Sequence, residues 1–156
     1  MKIIRLITYS AVLLAFLGGA VACKSSPPLT ITEHTAINTI RAYADPATEM
    51  TLQGLSENDL VKYTQYGNSE FKAAVTQEIF DETVIQTSVQ LGTYISKELL
   101  SIEEQDGYAI VHYKAKYLKN EADLSAEYAN ESISPSSVGI KMVFDKDQLV
   151  ASQWFE

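Results

Sequence analysis

The chain has 156 residues, 12 basic and 20 acidic side chains, and a formal charge of −8 at pH 7 with histidine neutral. One cysteine leaves no partner for an intramolecular disulfide. The acidic balance excludes the basic footprint that nucleic-acid binding requires and argues against electrostatic adhesion to anionic lipid.

The N-terminus opens with the basic flank Met1-Lys2-Ile3-Ile4-Arg5, and residues 6–23 contain no charge. The apolar centre, residues 11–17, is followed by Gly18-Gly19-Ala20-Val21-Ala22. A basic start, a short apolar run and small residues at the exit are the pattern of a secretory signal peptide. The run is shorter than the ~20 predominantly apolar residues of a membrane span. Ala20-Val21-Ala22-Cys23 is similar to a bacterial lipobox, with Ala20 where leucine is usual. That resemblance implies that the Cys23 thiol takes a diacylglyceryl group and becomes the mature N-terminus. Removing the first 22 residues leaves 134, with 10 basic and 20 acidic side chains, enough for one domain with a real core. The expected organisation is a signal peptide over 1–22, a lipid-anchored linker over 23–31, a helical extension over 32–44 and one α+β domain over 45–156.

Lys24-Ser25-Ser26-Pro27-Pro28 reads as an extended tether. Thr32 is a candidate cap for a helix that places Ala36, Ile37, Ile40 and Tyr43 on one face. Asp45-Pro46 has the form of an N-cap followed by proline at the first helical position, which predicts a fresh helix carrying Met50 and Leu55 inward. Ser56-Glu57-Asn58-Asp59 resembles a capping box for a helix from about 57 to 66, with Leu60 and Tyr63 on its apolar stripe. Gly67 and Asn68 suit its exit. Thr76 is the expected cap of the clearest helix, on which Phe80, Val84, Thr87 and Leu91 recur at helical spacing until Gly92.

After Gly92 the apolar period becomes twofold. Residues 93–103 read as a strand, and Asp106-Gly107 is the signal of a tight hairpin. Residues 108–117 alternate most cleanly. Ala109, Val111, Tyr113, Ala115 and Tyr117 should meet the helices, while Ile110, His112, Lys114 and Lys116 should meet water. Residues 118–137 form a long polar connection with a short element expected near 124–128. Strands over 138–144 and 149–155 complete a predicted four-stranded antiparallel sheet. Helices first and strands afterwards define an α+β class with helices packed on the sheet.

Asp45-Pro46-Ala47-Thr48-Glu49, Gly54-Leu55-Ser56-Glu57-Asn58-Asp59 and Phe71-Lys72-Ala73-Ala74 together resemble the front of the domain of unknown function 3887 family. Residues 107–117 and Val143-Phe144-Asp145-Lys146-Asp147 resemble its back half. The resemblance covers about residues 44–156. It implies the cone-shaped, nuclear transport factor 2-like or cystatin-like arrangement in which a curved sheet wraps a helix around a cavity. The connection over 118–137 is longer than the family pattern, and the helix over 32–43 lies outside it.

Reactive chemistry is sparse. Neither His34 nor His112 sits in a nucleophile signature, and no Gly-x-Ser-x-Gly is present. Asp145-Lys146-Asp147 and Glu103-Glu104-Gln105-Asp106 are acidic turns that turn chemistry explains without an ion. Asn130-Glu131-Ser132 matches a glycosylation acceptor that a bacterial or archaeal lipoprotein does not call for. No catalytic residue, metal ligand or cofactor is expected. Nine tyrosines offer apolar bodies with polar tips, and Tyr63, Phe80, Tyr113 and Trp154 are the candidate pocket wall. The expected function is non-catalytic binding of a small apolar ligand or an envelope protein, outside the cytoplasm at the cell or outer membrane. Two alternatives stay open: an enzyme of the same fold using a carboxylate raised in pKa by burial, tested by whether Glu98, Asp81 or His112 enters a pocket, and a spacer or accessory subunit of an envelope complex.

Overall fold

A computed structural model of the chain describes residues 26–119 and 135–155. The elements in chain order are β1 (Leu29–Thr30), α1 (His34–Glu57), α2 (Leu60–Thr64), α3 (Ser69–Ala74), α4 (Gln77–Gln90), β2 (Thr93–Gln105), β3 (Tyr108–Leu118), β4 (Ser136–Asp145) and β5 (Gln148–Phe155). The strands form one antiparallel sheet in the order β1-β2-β3-β4-β5. The class is the expected α+β, with five strands where four were predicted. The added strand is β1, inside the segment read as linker, where Leu29 and Thr30 pair with Glu104 and Glu103.

The break expected at Asp45-Pro46 is absent. The two predicted helices are one 24-residue helix with Pro46 in its interior, so the boundary placed between 44 and 45 falls inside α1. Proline costs a helix the hydrogen bond its N–H would make to the fourth residue back. Packing compensates here. Ala44, Ala47, Thr48, Thr51, Leu52 and Leu55 are all buried on either side of it. Small side chains on this face bring the helix backbone close to the sheet.

The capping residues shift accordingly. Thr32 does not cap α1, whose N-cap is Glu33 with no side-chain bond. Ser56 does not open a capping box. Asn58 takes a left-handed conformation (φ 57°) and ends α1, with the Asp59 N–H reaching the Gly54 carbonyl at 2.8 Å. Asp59 then caps α2 through a bond from the Lys62 N–H at 2.9 Å. α3 is an element beyond those expected: Asn68 is not a helix exit but its N-cap, accepting from the Phe71 N–H at 2.7 Å. Thr76 caps α4 as expected. Each such side-chain cap is worth about 1 kcal/mol.

In the sheet, Asp106 (φ 52°) and Gly107 (φ 85°) form the two-residue β2–β3 turn, and both adopt the positive φ that a primed hairpin turn demands. Bulges in β2, between Tyr94 and Ser96 and between Leu99 and Ser101, bend that strand. Val111, Tyr113, Ala115 and Tyr117 are buried on the helix side beside Ile140, Met142, Phe144 and Leu149. The opposite face departs from expectation at two positions: the His112 side chain is only 20% exposed, with its Nε2 shielded from solvent, and Ile110 is more deeply covered. Ile110 is buried rather than solvated, paired with Glu103 on one side and Val143 on the other. Phe155 lies across Gly139 on this face, on the space a side chain at 139 would fill. Its ring meets the His112 ring edge-on at 5.4 Å.

The expected element near 124–128 and the sequon at 130–132 lie outside the described residues, as do the signal segment and Cys23.

Candidate functional site

The most elaborate polar arrangement among the described residues joins α1 to β2 and β3. Arg41, Asp45, Glu49 and Gln53 recur every fourth residue, so one helix face carries all four. The Arg41 Nε lies 2.9 Å from Asp45 Oδ2. The Tyr113 hydroxyl donates to Asp45 Oδ1 at 2.8 Å. One turn on, Glu49 accepts from the Tyr94 hydroxyl at 2.8 Å and from Gln53 Nε2 at 2.9 Å, and pairs with Lys97 Nζ at 3.2 Å. The Lys97 ammonium also sits 5.3 Å from the centre of the Tyr113 ring, within the range of a cation–π contact.

The electrostatics follow from these partners. Burial would raise the Glu49 carboxyl, but hydrogen bonds from Tyr94, Lys97 and Gln53 and the Lys97 charge outweigh it, so the group is held below its ordinary value. Burial, and then the neighbouring carboxylates, push the phenols of Tyr94 and Tyr113 far above their usual range. Glu49 is therefore a fixed anion and the two phenols are fixed donors. A carboxyl poised for general acid catalysis needs the opposite shift. This arrangement braces helix to sheet.

The candidate pocket residues are partly assembled. Tyr63 and Phe80 pack together at 5.2 Å, with Phe71 stacked on Tyr63 at 6.0 Å. Trp154 lies 6.0 Å from Tyr117, and Tyr117 lies 5.7 Å from Tyr94. Tyr113 is apart from Tyr63 and Phe80 in its bonding, its hydroxyl committed to Asp45. None of the four lines the cavity of about 160 Å³ between α1 and α4, whose wall is Leu55, Ser56, Val84, Thr87, Ser88, Gly92 and Thr93.

Three groups were singled out as markers of chemistry. Asp81 accepts from Gln77 on the exposed side of α4. Glu98 is exposed and sits opposite Lys114 on the outer sheet face. His112 is on that same face, its Nε2 3.8 Å from Glu103 Oε2. None of them borders the cavity. Among the described residues, no group of three or more His, Cys, Asp or Glu side chains is arranged to hold a metal ion.

The two edges of the sheet differ. Beyond the short cover of β1, the β2 edge is interrupted by two bulges and carries Lys97 and Glu98. β5 has no charged residue in its eight positions. Its outer edge is met at Leu149, whose N–H donates to the Tyr66 carbonyl and whose carbonyl accepts from the Asn68 N–H. From Val150 to Phe155 no described residue pairs with that edge. Bulges and charges are the usual protection of a strand edge; β5 has one bulge, at Val150, and no charge.

The fold and these surfaces define a small α+β domain with a helix-braced antiparallel sheet. The chain belongs to the family described as protein of unknown function DUF3887, whose model matches residues 49–134. Among solved structures, it is similar to an uncharacterized cystatin-fold protein from Novosphingobium aromaticivorans at 8% identity and a TM-score of 0.40, over 70% of this chain and 95% of that one. No functionally curated protein matches the chain.

Proposed function

We propose that this chain is a lipid-anchored extracytoplasmic domain that binds a protein partner by strand addition along β5. The observation that carries the binding half is the uncharged β5 edge, which no described residue pairs with from Val150 to Phe155. An extended segment of a partner would satisfy its outward peptide groups and continue the sheet. Trp154, about one-third exposed near the end of that strand, offers an aromatic anchor of the kind that dominates protein interfaces. Tyr63 is spent on Phe71 and Phe80, and Tyr117 on Tyr94 and Trp154, which favours a partner at the edge over a small ligand among them.

The anchoring half rests on the sequence: a basic start, an uncharged run, and Cys23 directly after small residues. More than one acyl chain on that cysteine would hold the domain stably at a bilayer, each buried CH₂ contributing about 0.8 kcal/mol.

Two measurements test the reading. Intact-mass spectrometry of protein extracted from its own membrane should give a chain starting at Cys23 with acyl mass added, and Cys23→Ala should release it to the soluble fraction. A photo-crosslinker at Gln153 should give one discrete adduct in cells, reduced by Ser152→Pro, which removes an outward-facing N–H, with the fold checked by circular dichroism. The same probe at Glu82 on α4 should not. Equal adducts from both positions would remove β5 as the binding edge.

A further inference from the structure

We infer that the segment after Cys23 fixes the orientation of the domain, so that the β2–β3 and β4–β5 turns face the bilayer and the opposite end of the sheet stands away from it. This rests on the lipid-anchor reading above and adds a geometry to it.

From Ser26 onward, the segment expected to be a free tether is clamped. The Ser26 N–H donates to Asp106 Oδ1 at 3.3 Å, and its carbonyl accepts from Gln105 Nε2 at 2.8 Å. Leu29 and Thr30 pair with β2 as β1, and the Ile31 N–H reaches the Ile102 carbonyl at 2.8 Å. Bonds therefore run from Ser26 to Ile31 along the last turn-ward stretch of β2. Cys23 precedes Ser26 by three residues. Three residues span at most ~11 Å when fully extended. An unclamped tether ending at Ile31 would reach more than twice as far and let the domain tumble.

The end so tied down is well defined. Gln105 pairs with Tyr108 across one turn, and Asp145 pairs with Gln148 across the other. Ala109 pairs with Phe144, which puts both turns at the same end of the sheet. The far end holds Thr93, Leu118 and Ser136. β3 spans 11 residues, so the two ends are separated by ~35 Å. Glu104, Asp106, Asp145 and Asp147 outnumber Lys146 at the tethered end. That acidic rim resists closer approach to anionic headgroups. The domain consequently stands on its tether, and β5 runs outward from Gln148 near the lipid to Phe155 away from it. A partner strand on β5 would lie along the membrane normal.

Single cysteines at Gln148 and at Gln90 report the two ends, since both positions are exposed and acylation consumes Cys23. Each variant is fluorophore-labelled in the acylated protein and bound to phosphatidylcholine vesicles carrying a headgroup quencher. Quenching at 148 should exceed that at 90 severalfold. Inserting a flexible Gly/Ser segment of about a dozen residues between Ser25 and Ser26 should bring the two toward equality. Equal quenching in the uninserted, vesicle-bound protein overturns the orientation while leaving the anchor intact. Protein that carries no acyl mass and does not float with vesicles overturns the anchor itself, and the orientation with it.

Discussion

The hydroxyl of Tyr113 donates to Asp45 at 2.8 Å, joining the middle of β3 to α1 one residue before the proline inside that helix. Tyr113 is 1% exposed, whereas the Asp45 side chain is 29% exposed and keeps its own access to water. Tyr113→Phe should lower stability by about 1 kcal/mol, read by urea denaturation. A double-mutant cycle with Asp45→Ala should return a coupling energy of the same order, because the two groups are in direct contact.

Acid should weaken the protein through Glu49. Its carboxyl is lowered in the folded state from a reference near 4.5. A depressed folded pKa contributes stability that is present above the unfolded pKa and is lost as pH falls through the folded one. The thermal midpoint should fall below about pH 4.5 in the parent protein. In Glu49→Gln that part of the acid dependence should be missing, and the neutral-pH midpoint should already be lower, since the Lys97 pair is gone.

Alkali acts through the phenols. Burial raises Tyr63, Tyr94, Tyr113 and Tyr117, so their folded pKa values lie above the reference of 10.0. Above pH 10 the unfolded chain releases these protons and the folded chain does not, so stability declines as pH rises past that point. Ultraviolet titration should show these four remaining protonated until the sheet unfolds, with the tyrosinate absorbance then rising together with loss of the circular dichroism signal.

Two turn positions have opposite expectations. Lys146 adopts φ 56° in the β4–β5 turn, where a side chain is strained. Lys146→Gly should raise stability by about 1 kcal/mol in thermal denaturation. Gly92 has φ 92° between α4 and β2, and a Cβ there would run into the Leu118 carbonyl. Gly92→Ala should cost about 2–5 kcal/mol, from the conformation and the collision together.

The sheet was the more legible half of the molecule. The alternation from Ala109 to Tyr117 and the Asp106-Gly107 pair are local signals, and each led to the observed strand or turn. The helical half depends on contacts between distant residues. Pro46 reads locally as a helix start, and only the buried row from Ala44 to Leu55 against the sheet keeps α1 whole. That one misreading also concealed the brace. With a break before Asp45, Arg41 falls in one element and Asp45, Glu49 and Gln53 in the next, so the common spacing of four does not read as one face. Ser56 likewise reads as a cap, yet its hydroxyl accepts from the Tyr94 N–H, 38 residues on. Leu29 and Thr30 carry no strand signal of their own. Their pairing is supplied by the C-terminal end of β2.

Trp154 is the sole indole of the chain, and it sits about one-third exposed beside Tyr117, near the end of the edge that no described residue pairs with. Its emission colour is thus tied to how wet that edge is. A strand laid along β5 would dry the indole and shift its spectrum to the blue, while tyrosines across the rest of the molecule would stay dark to such selective excitation. The protein carries its own optical gauge of edge occupancy, readable without any added dye.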